Sequence, residues 1–180
     1  MSHGISCDQC GYLNAPEKSR CVLTIHSCPR ALVAHVEWAV AAVLGPGRGF
    51  EWEDQELQPG NHRAEIAFQA EPGVVARLVS DLKSFPGLRF DASQESVGGF
   101  EGERFSYTPS LGIHRAGMTP IGETLVTETR IRSVMERAES PAEALREIEF
   151  LLGTPWDQEL EPYRFAEVNS HEVRWVHEVG

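Results

Sequence analysis

The run Cys21-Val-Leu-Thr-Ile-His26 has the β-branched content and alternation of a strand. Ser27 or Cys28 followed by Pro29 marks a helix start, because proline is tolerated at the first helical position. The helix extends from about Pro29 to Leu44, and Gly45-Pro46-Gly47 ends it. Phe50 to Glu56 places Phe50 and Trp52 two apart before the turn Gln58-Pro-Gly-Asn61. Arg63 to Gln69 alternates cleanly, with Ala64, Ile66 and Phe68 on one side. From Gly73 to Phe85 the positions Val74, Val75, Leu78, Val79, Leu82 and Phe85 fall on one helical stripe. A short strand, Leu88 to Ala92, follows a Pro-Gly turn.

Strand, helix, strand, strand, helix, strand is the ferredoxin-like βαββαβ order of an α+β fold. It predicts a four-stranded antiparallel sheet with two helices on one face and the other face open. The rest predicts a smaller α+β half packed on the first. Glu103 to Thr108 and Gly112 to Met118 form a strand hairpin, and Glu123 to Val126 adds to it. Thr127 to Ala138 is helical, and Ser140-Pro-Ala-Glu143 is a capping box that starts a second helix ending at Leu152 and Gly153. Val173 to Val179 reads as a closing strand, and Ser93 to Gly102 as a linker. The organisation expected is an N-terminal extension over 1–21, a ferredoxin-like half over 22–96 and a C-terminal half over 97–180.

The first helix departs from the amphipathic rule. Leu32, Val33, Val36, Val40, Val43 and Leu44 face the sheet, but the opposite side holds Ala31, Ala34, Ala41, Ala42, His35 and Trp38 in place of charge. A helix apolar all round needs cover on both sides. Either the second half, for instance its αα-hairpin, packs there and Trp38 is core, or the surface stays open and docks another protein, aromatics being common anchors.

Composition narrows the function classes. The chain of 180 residues is 41% apolar and 24% charged, as globular domains are. Sixteen Lys and Arg against 27 Asp and Glu give a net charge of -11, the wrong sign for nucleic acid or anionic lipid. No apolar run approaches the roughly 20 residues that cross a bilayer. Met1 to Cys10 has no basic and apolar leader pattern, so a cytoplasmic location is expected.

Cys7-Asp-Gln-Cys10 has zinc-knuckle spacing. Cys21 and Cys28, at opposite ends of one strand, cannot both complete it, so a zinc site would combine Cys7, Cys10 and Cys21 with His3 or solvent. Otherwise these are reduced thiols without function and the protein has no cofactor. On the open sheet face, alternation aims Thr24 and His26, Arg63, Glu65 and Gln69, and Arg89 and Asp91 the same way. A histidine, carboxylates and guanidinium groups together suit an anionic ligand or acid–base chemistry, or form a solvated or covered salt-bridged face. His35 and Glu37, two apart on a helix, do not face each other. Nucleophile elbow, phosphate loop, dinucleotide fingerprint and metalloprotease helix are all lacking.

Three segments, His26-Ser-Cys-Pro-Arg-Ala-Leu-Val-Ala-His-Val-Glu-Trp-Ala39, Glu103-Arg-Phe-Ser-Tyr-Thr-Pro-Ser-Leu-Gly-Ile-His114 and Leu151-Leu-Gly-Thr-Pro-Trp-Asp-Gln-Glu-Leu-Glu-Pro-Tyr-Arg-Phe165, together resemble the bacterial domain-of-unknown-function family 3145. The likeness runs from about Val22 to the C-terminus, leaving Cys7 and Cys10 outside it, and His35-Val-Glu-Trp38 is its most specific part. The resemblance brings no catalytic residues, and implies a link to fatty-acid precursor supply. The resulting expectation is a non-catalytic regulatory or adaptor protein. It would dock on a larger enzyme, such as an acyl-CoA carboxylase, through His35, Trp38, Trp156, Tyr163 and Phe165. The alternative is a small-molecule binder or enzyme using Thr24, His26, Arg63, Glu65 and Arg89.

Overall fold

The computed structural model describes residues 17–47 and 49–164. The fold is α+β. A seven-stranded sheet, antiparallel at every pairing, has the order β2-β3-β1-β4-β5-β6-β7. Its strands are β1 (Ser19–Pro29), β2 (Glu53–Asp54), β3 (Asn61–Ala70), β4 (Arg89–Gln94), β5 (Gly102–Thr108), β6 (Gly112–Met118) and β7 (Thr124–Leu125). The helices are α1 (Val33–Leu44), α2 (Val74–Leu82), α3 (Glu128–Arg137), α4 (Pro141–Leu152) and α5 over 154–164. No helix of the described residues is long and apolar enough to cross a membrane.

The sheet is larger than the four strands the sequence predicts. β5 pairs directly with β4, from Phe90 opposite Tyr107 to Gln94 opposite Glu103, so the second half continues the first sheet instead of forming its own. The expected linker is shorter than its composition suggests. Ser93 and Gln94 belong to β4, and a turn closed by pairing of Val97 with Phe100 lies between the strands. The strand expected over Phe50 to Glu56 shrinks to Glu53–Asp54, because Trp52 and Gln55 turn inward: the Trp52 indole donates to Glu37 at 2.9 Å, and Gln55 Nε2 donates to the His26 carbonyl at 2.6 Å. The closing strand expected over Val173 to Val179 lies outside the described residues.

Strand alternation divides the side chains between two faces. On one, Cys21, Leu23 and Ile25 of β1 join Phe68, Phe90, Ala92 and Phe105 beneath Val36 and Val40 of α1 and Val75, Leu78, Val79 and Leu82 of α2. Each of these full-sized aliphatic side chains contributes roughly 1.5–3 kcal/mol by leaving water. On the other face lie Thr24, Glu65, Asp91, Arg104, Ser106 and His114, and α5 covers part of it. A bulge in β1, where register shifts after Ile25 toward both neighbours, buries His26, Ser27 and Cys28 in succession.

The α4–α5 junction is set locally. The Ser140 hydroxyl accepts from the Glu143 N–H at 3.2 Å, and the Glu143 carboxylate accepts from the Glu139 N–H at 2.9 Å, so the cap predicted from sequence is present. At the other end Gly153 takes φ +87°, a left-handed cap that glycine reaches without strain. The chain then turns straight into α5, whose Asp157 N–H donates to the Gly153 carbonyl at 3.0 Å.

Candidate functional site

Two surfaces carry the residues singled out above, on opposite sides of the sheet. The first is the outer flank of α1. Only Val36 and Val40 are buried on this helix; Ala34, His35, Trp38 and Ala42 are exposed, Trp38 by 70%. The αα-hairpin of α3 and α4 does not cover this flank, and Trp38 is not core. The hairpin sits on the far face instead, where the His114 ring of β6 bonds the Leu151 carbonyl at 3.1 Å. The His35 and Trp38 rings stand 5.5 Å apart, one helical turn from each other, so the indole is flanked by an imidazole rather than by protein core. Glu37 is occupied by the Trp52 indole and takes no part.

The other aromatics expected on the same surface lie elsewhere. Trp156 is 2% exposed: its indole donates to the Gly112 carbonyl at 2.9 Å, and its rings pack 4.9 Å from both His114 and Phe150. It holds α5 to β6 and is closed to a partner. Tyr163, half-buried, lies against the Arg89 guanidinium, 5.0 Å from its ring centre, and its hydroxyl donates to Gln58 Oε1 at 3.4 Å. Phe165 lies outside the described residues.

The second surface is the face under α5. Asp91 is its centre. His26 Nε2 lies 2.9 Å from one carboxylate oxygen, Arg164 Nη2 donates to the same oxygen at 2.6 Å, and Ser106 donates to the other at 2.6 Å. Burial opposes charge on Asp91, but His26, Arg164 and Ser106 overcome it and hold the carboxyl well below the usual carboxylate range. Flanking pairs continue the seam, Arg104 with Asp157 at 3.2 Å and Arg89 with Glu159 at 3.7 Å. Both His26 and Ser106 turn to Asp91, and neither bonds the other, so this is an orienting carboxylate and not a hydroxyl relay of the serine-hydrolase kind.

Beside the seam, between β1, β3 and the end of α5, opens a cleft of about 180 Å³. Thr24, His26, Arg63, Glu65 and Tyr163 line it with Glu51 and Glu53. Four of the five residues in the alternative ligand set are therefore neighbours. Thr24 donates to Glu65 at 2.7 Å and Arg63 to Glu53 at 2.8 Å. Arg89, the fifth, does not line the cleft: its Nη2 faces Glu159 at 3.7 Å, its guanidinium lies against Tyr163, and its Nε is buried without a hydrogen-bond partner among the described residues.

Asp157, Glu159 and Arg164 carry much of this seam and were not picked out by sequence reasoning. Their signal was present: Trp156, Leu160 and Tyr163 are spaced four and three apart, the stripe of a helix opened by Thr154-Pro155.

Cys21 is fully buried on the α1 side of β1, where burial raises its thiol against forming the thiolate that zinc binds. Cys7 and Cys10 lie outside the described residues, and among the described residues no group of three or more His, Cys, Asp or Glu could hold an ion.

No curated protein and no solved structure matches the chain. The family described as "Protein of unknown function (DUF3145)" matches residues 22–178, a span that starts after Cys7 and Cys10 and takes in both surfaces, and the chain belongs to that family.

Proposed function

We propose that the protein is a regulatory or adaptor module that docks on a larger protein through the outer flank of α1, with Trp38 as anchor and His35 beside it. The observation that carries this is the 70% exposure of Trp38 on a helix whose other exposed residues are His35 and the alanines Ala34 and Ala42. A solvated helix face ordinarily carries charge, and a large aromatic exposed among small residues is the usual make-up of an interface centre. Trp156 leaves this surface for the core; Tyr163, on the other side of the sheet, is no part of it either. The first half is proposed to be ferredoxin-like, a reading supported by the strand order β2-β3-β1-β4 with α1 and α2 on one face.

The family resemblance makes an enzyme of fatty-acid synthesis, such as an acyl-CoA carboxylase, the first partner to test. Purified full-length protein and its Trp38→Ala variant are compared for direct binding to that enzyme, and by quantitative affinity purification from the native cell. The expected result is a partner held by the wild type and lost from a variant of unchanged stability. Equal recovery of every partner by both proteins would remove α1 as the docking surface.

A further inference from the structure

The αα-hairpin carries apolar surface that the chain itself leaves uncovered. α3 has 10 residues and α4 has 12, lengths at which a helix depends on packing for its stability. Yet α3 buries only Val134, and α4 buries no residue. A groove on one side of the hairpin is lined by Arg130, Ser133, Arg137, Glu147, Phe150 and Leu151. Helical spacing puts Ile131 and Met135 of α3 on the other side, together with Leu145, Ile148 and Leu152 of α4. Met135 is 70% exposed and Leu145 57%. Single exposed apolar side chains are ordinary on a surface, but five on one face of two adjacent helices make a patch of the kind that marks an interface.

The charges select the occupant. Copies of a chain with net charge -11 repel one another except at a face whose charges cancel. Along the rim of the patch stand Arg132 and Glu136 on α3 and Arg146 and Glu149 on α4, two of each sign. The two helices are also opposite in sign. Three arginines against two glutamates give α3 +1, and one arginine against three glutamates gives α4 -2. Glu136 and Arg146 form no ion pair among the described residues, whereas Arg132 is held by Glu128 and Arg137 by Glu147. A strongly acidic or strongly basic partner finds no match on such a rim. A twofold axis along the hairpin lays α3 of each copy on α4 of the other, so that opposite signs meet and both apolar stripes leave water.

We infer that the chain pairs with a second copy of itself through this face, the two hairpins forming an isologous four-helix bundle with Glu136 of each copy beside Arg146 of the other. The inference is independent of the α1 surface, because α1 lies on the opposite face of the sheet from the hairpin.

The test is sedimentation equilibrium of the full-length protein over a range of concentrations. Wild type is expected to be a dimer that dissociates on dilution. Met135→Glu and Leu145→Glu should be monomeric, and since both positions are exposed in the single chain, their circular dichroism should match wild type. Glu136→Arg and Arg146→Glu should each weaken the dimer by roughly tenfold, because each turns two rim attractions into repulsions. The double reversal should restore the wild-type constant. The inference is overturned by a dimer that survives both apolar substitutions, by a double reversal that is no tighter than the single ones, or by a wild-type mass of one chain up to millimolar concentration. In that last case peroxide identifies the true occupant: slow oxidation of Met135 would assign the cover to residues 165–180 of the same chain, and fast oxidation would leave the face to a different protein.

Discussion

Gly153→Ala is a single-methyl change whose cost can be worked from the structure. Gly153 sits at φ +87°, where an L residue is disfavoured by roughly 1–2 kcal/mol. A Cβ placed there would fall 2.7 Å from His114 Cε1 and 2.8 Å from Nδ1, inside the closest approach of real side chains. The imidazole must therefore move. It would give up its 3.1 Å bond to the Leu151 carbonyl, worth roughly 0.5–1.5 kcal/mol net, and its packing at 4.9 Å on Trp156, worth roughly 0.5–1.5 kcal/mol more. Alanine recovers about 0.4–1 kcal/mol by narrowing the unfolded chain. The balance is a loss of about 2–4 kcal/mol, read in urea titrations as a lower midpoint at unchanged slope. In a His114→Ala background the same substitution should cost only its backbone share less the same unfolded-chain gain, roughly 0.5–1.5 kcal/mol, and the difference is the coupling between the two positions. A loss below about 1 kcal/mol, or the same loss in both backgrounds, would refute the steric account.

Trp38→Ala should change urea stability by less than about 1 kcal/mol, against the roughly 3–5 kcal/mol typical of a core tryptophan, because its indole is mostly in water. Asp91→Ala should cost about 2–4 kcal/mol, since it leaves Arg164 and His26 without their shared acceptor in a partly buried seam; a calorimetric melting temperature equal to wild type would contradict this. The pH profile of stability follows from four groups. His114 is lowered first by burial, so the unfolded chain takes up its proton first and stability should begin to fall below about pH 6.5. The lowered Asp91 adds a second loss below about pH 4, as the unfolded carboxylate protonates and the folded one resists. At the alkaline end burial pushes the Cys28 thiol up to about 12 and raises the Cys21 thiol as well, so stability should decline from about pH 9 as the unfolded thiols ionise, and Cys28→Ser should make that limb shallower, leaving the Cys21 share, in denaturation series across pH.

Local signals were legible where the chemistry is local. The turn Pro109-Ser-Leu-Gly112 marked the β5–β6 hairpin, and Ser140 with Glu143 marked the start of α4 to the residue. The alternation of β1 and β3 placed Thr24, His26, Arg63 and Glu65 on one face, and the cleft gathers all four. What escaped was tertiary. The helical wheel of α1 shows an apolar flank, but a wheel carries no record of which element comes to lie on it. The αα-hairpin expected there belongs to the far side because β5 and β6 prolong the sheet and carry the hairpin with them. Gly153 read as a stop, and it is one for α4; the same left-handed residue launches α5, so the helix that carries half of the Asp91 network went unrecognised.

The seam of backbone bonds between β4 and β5 ties the folding of both halves together. A fragment ending near residue 96 would leave the outer rim of β4, from Arg89 to Gln94, with amide donors and acceptors reaching toward nothing but water or another molecule. Such a piece should clump rather than stay monomeric. Severing the chain between the strands would therefore yield two sticky remnants in place of two tidy modules, and intact protein should melt in one step.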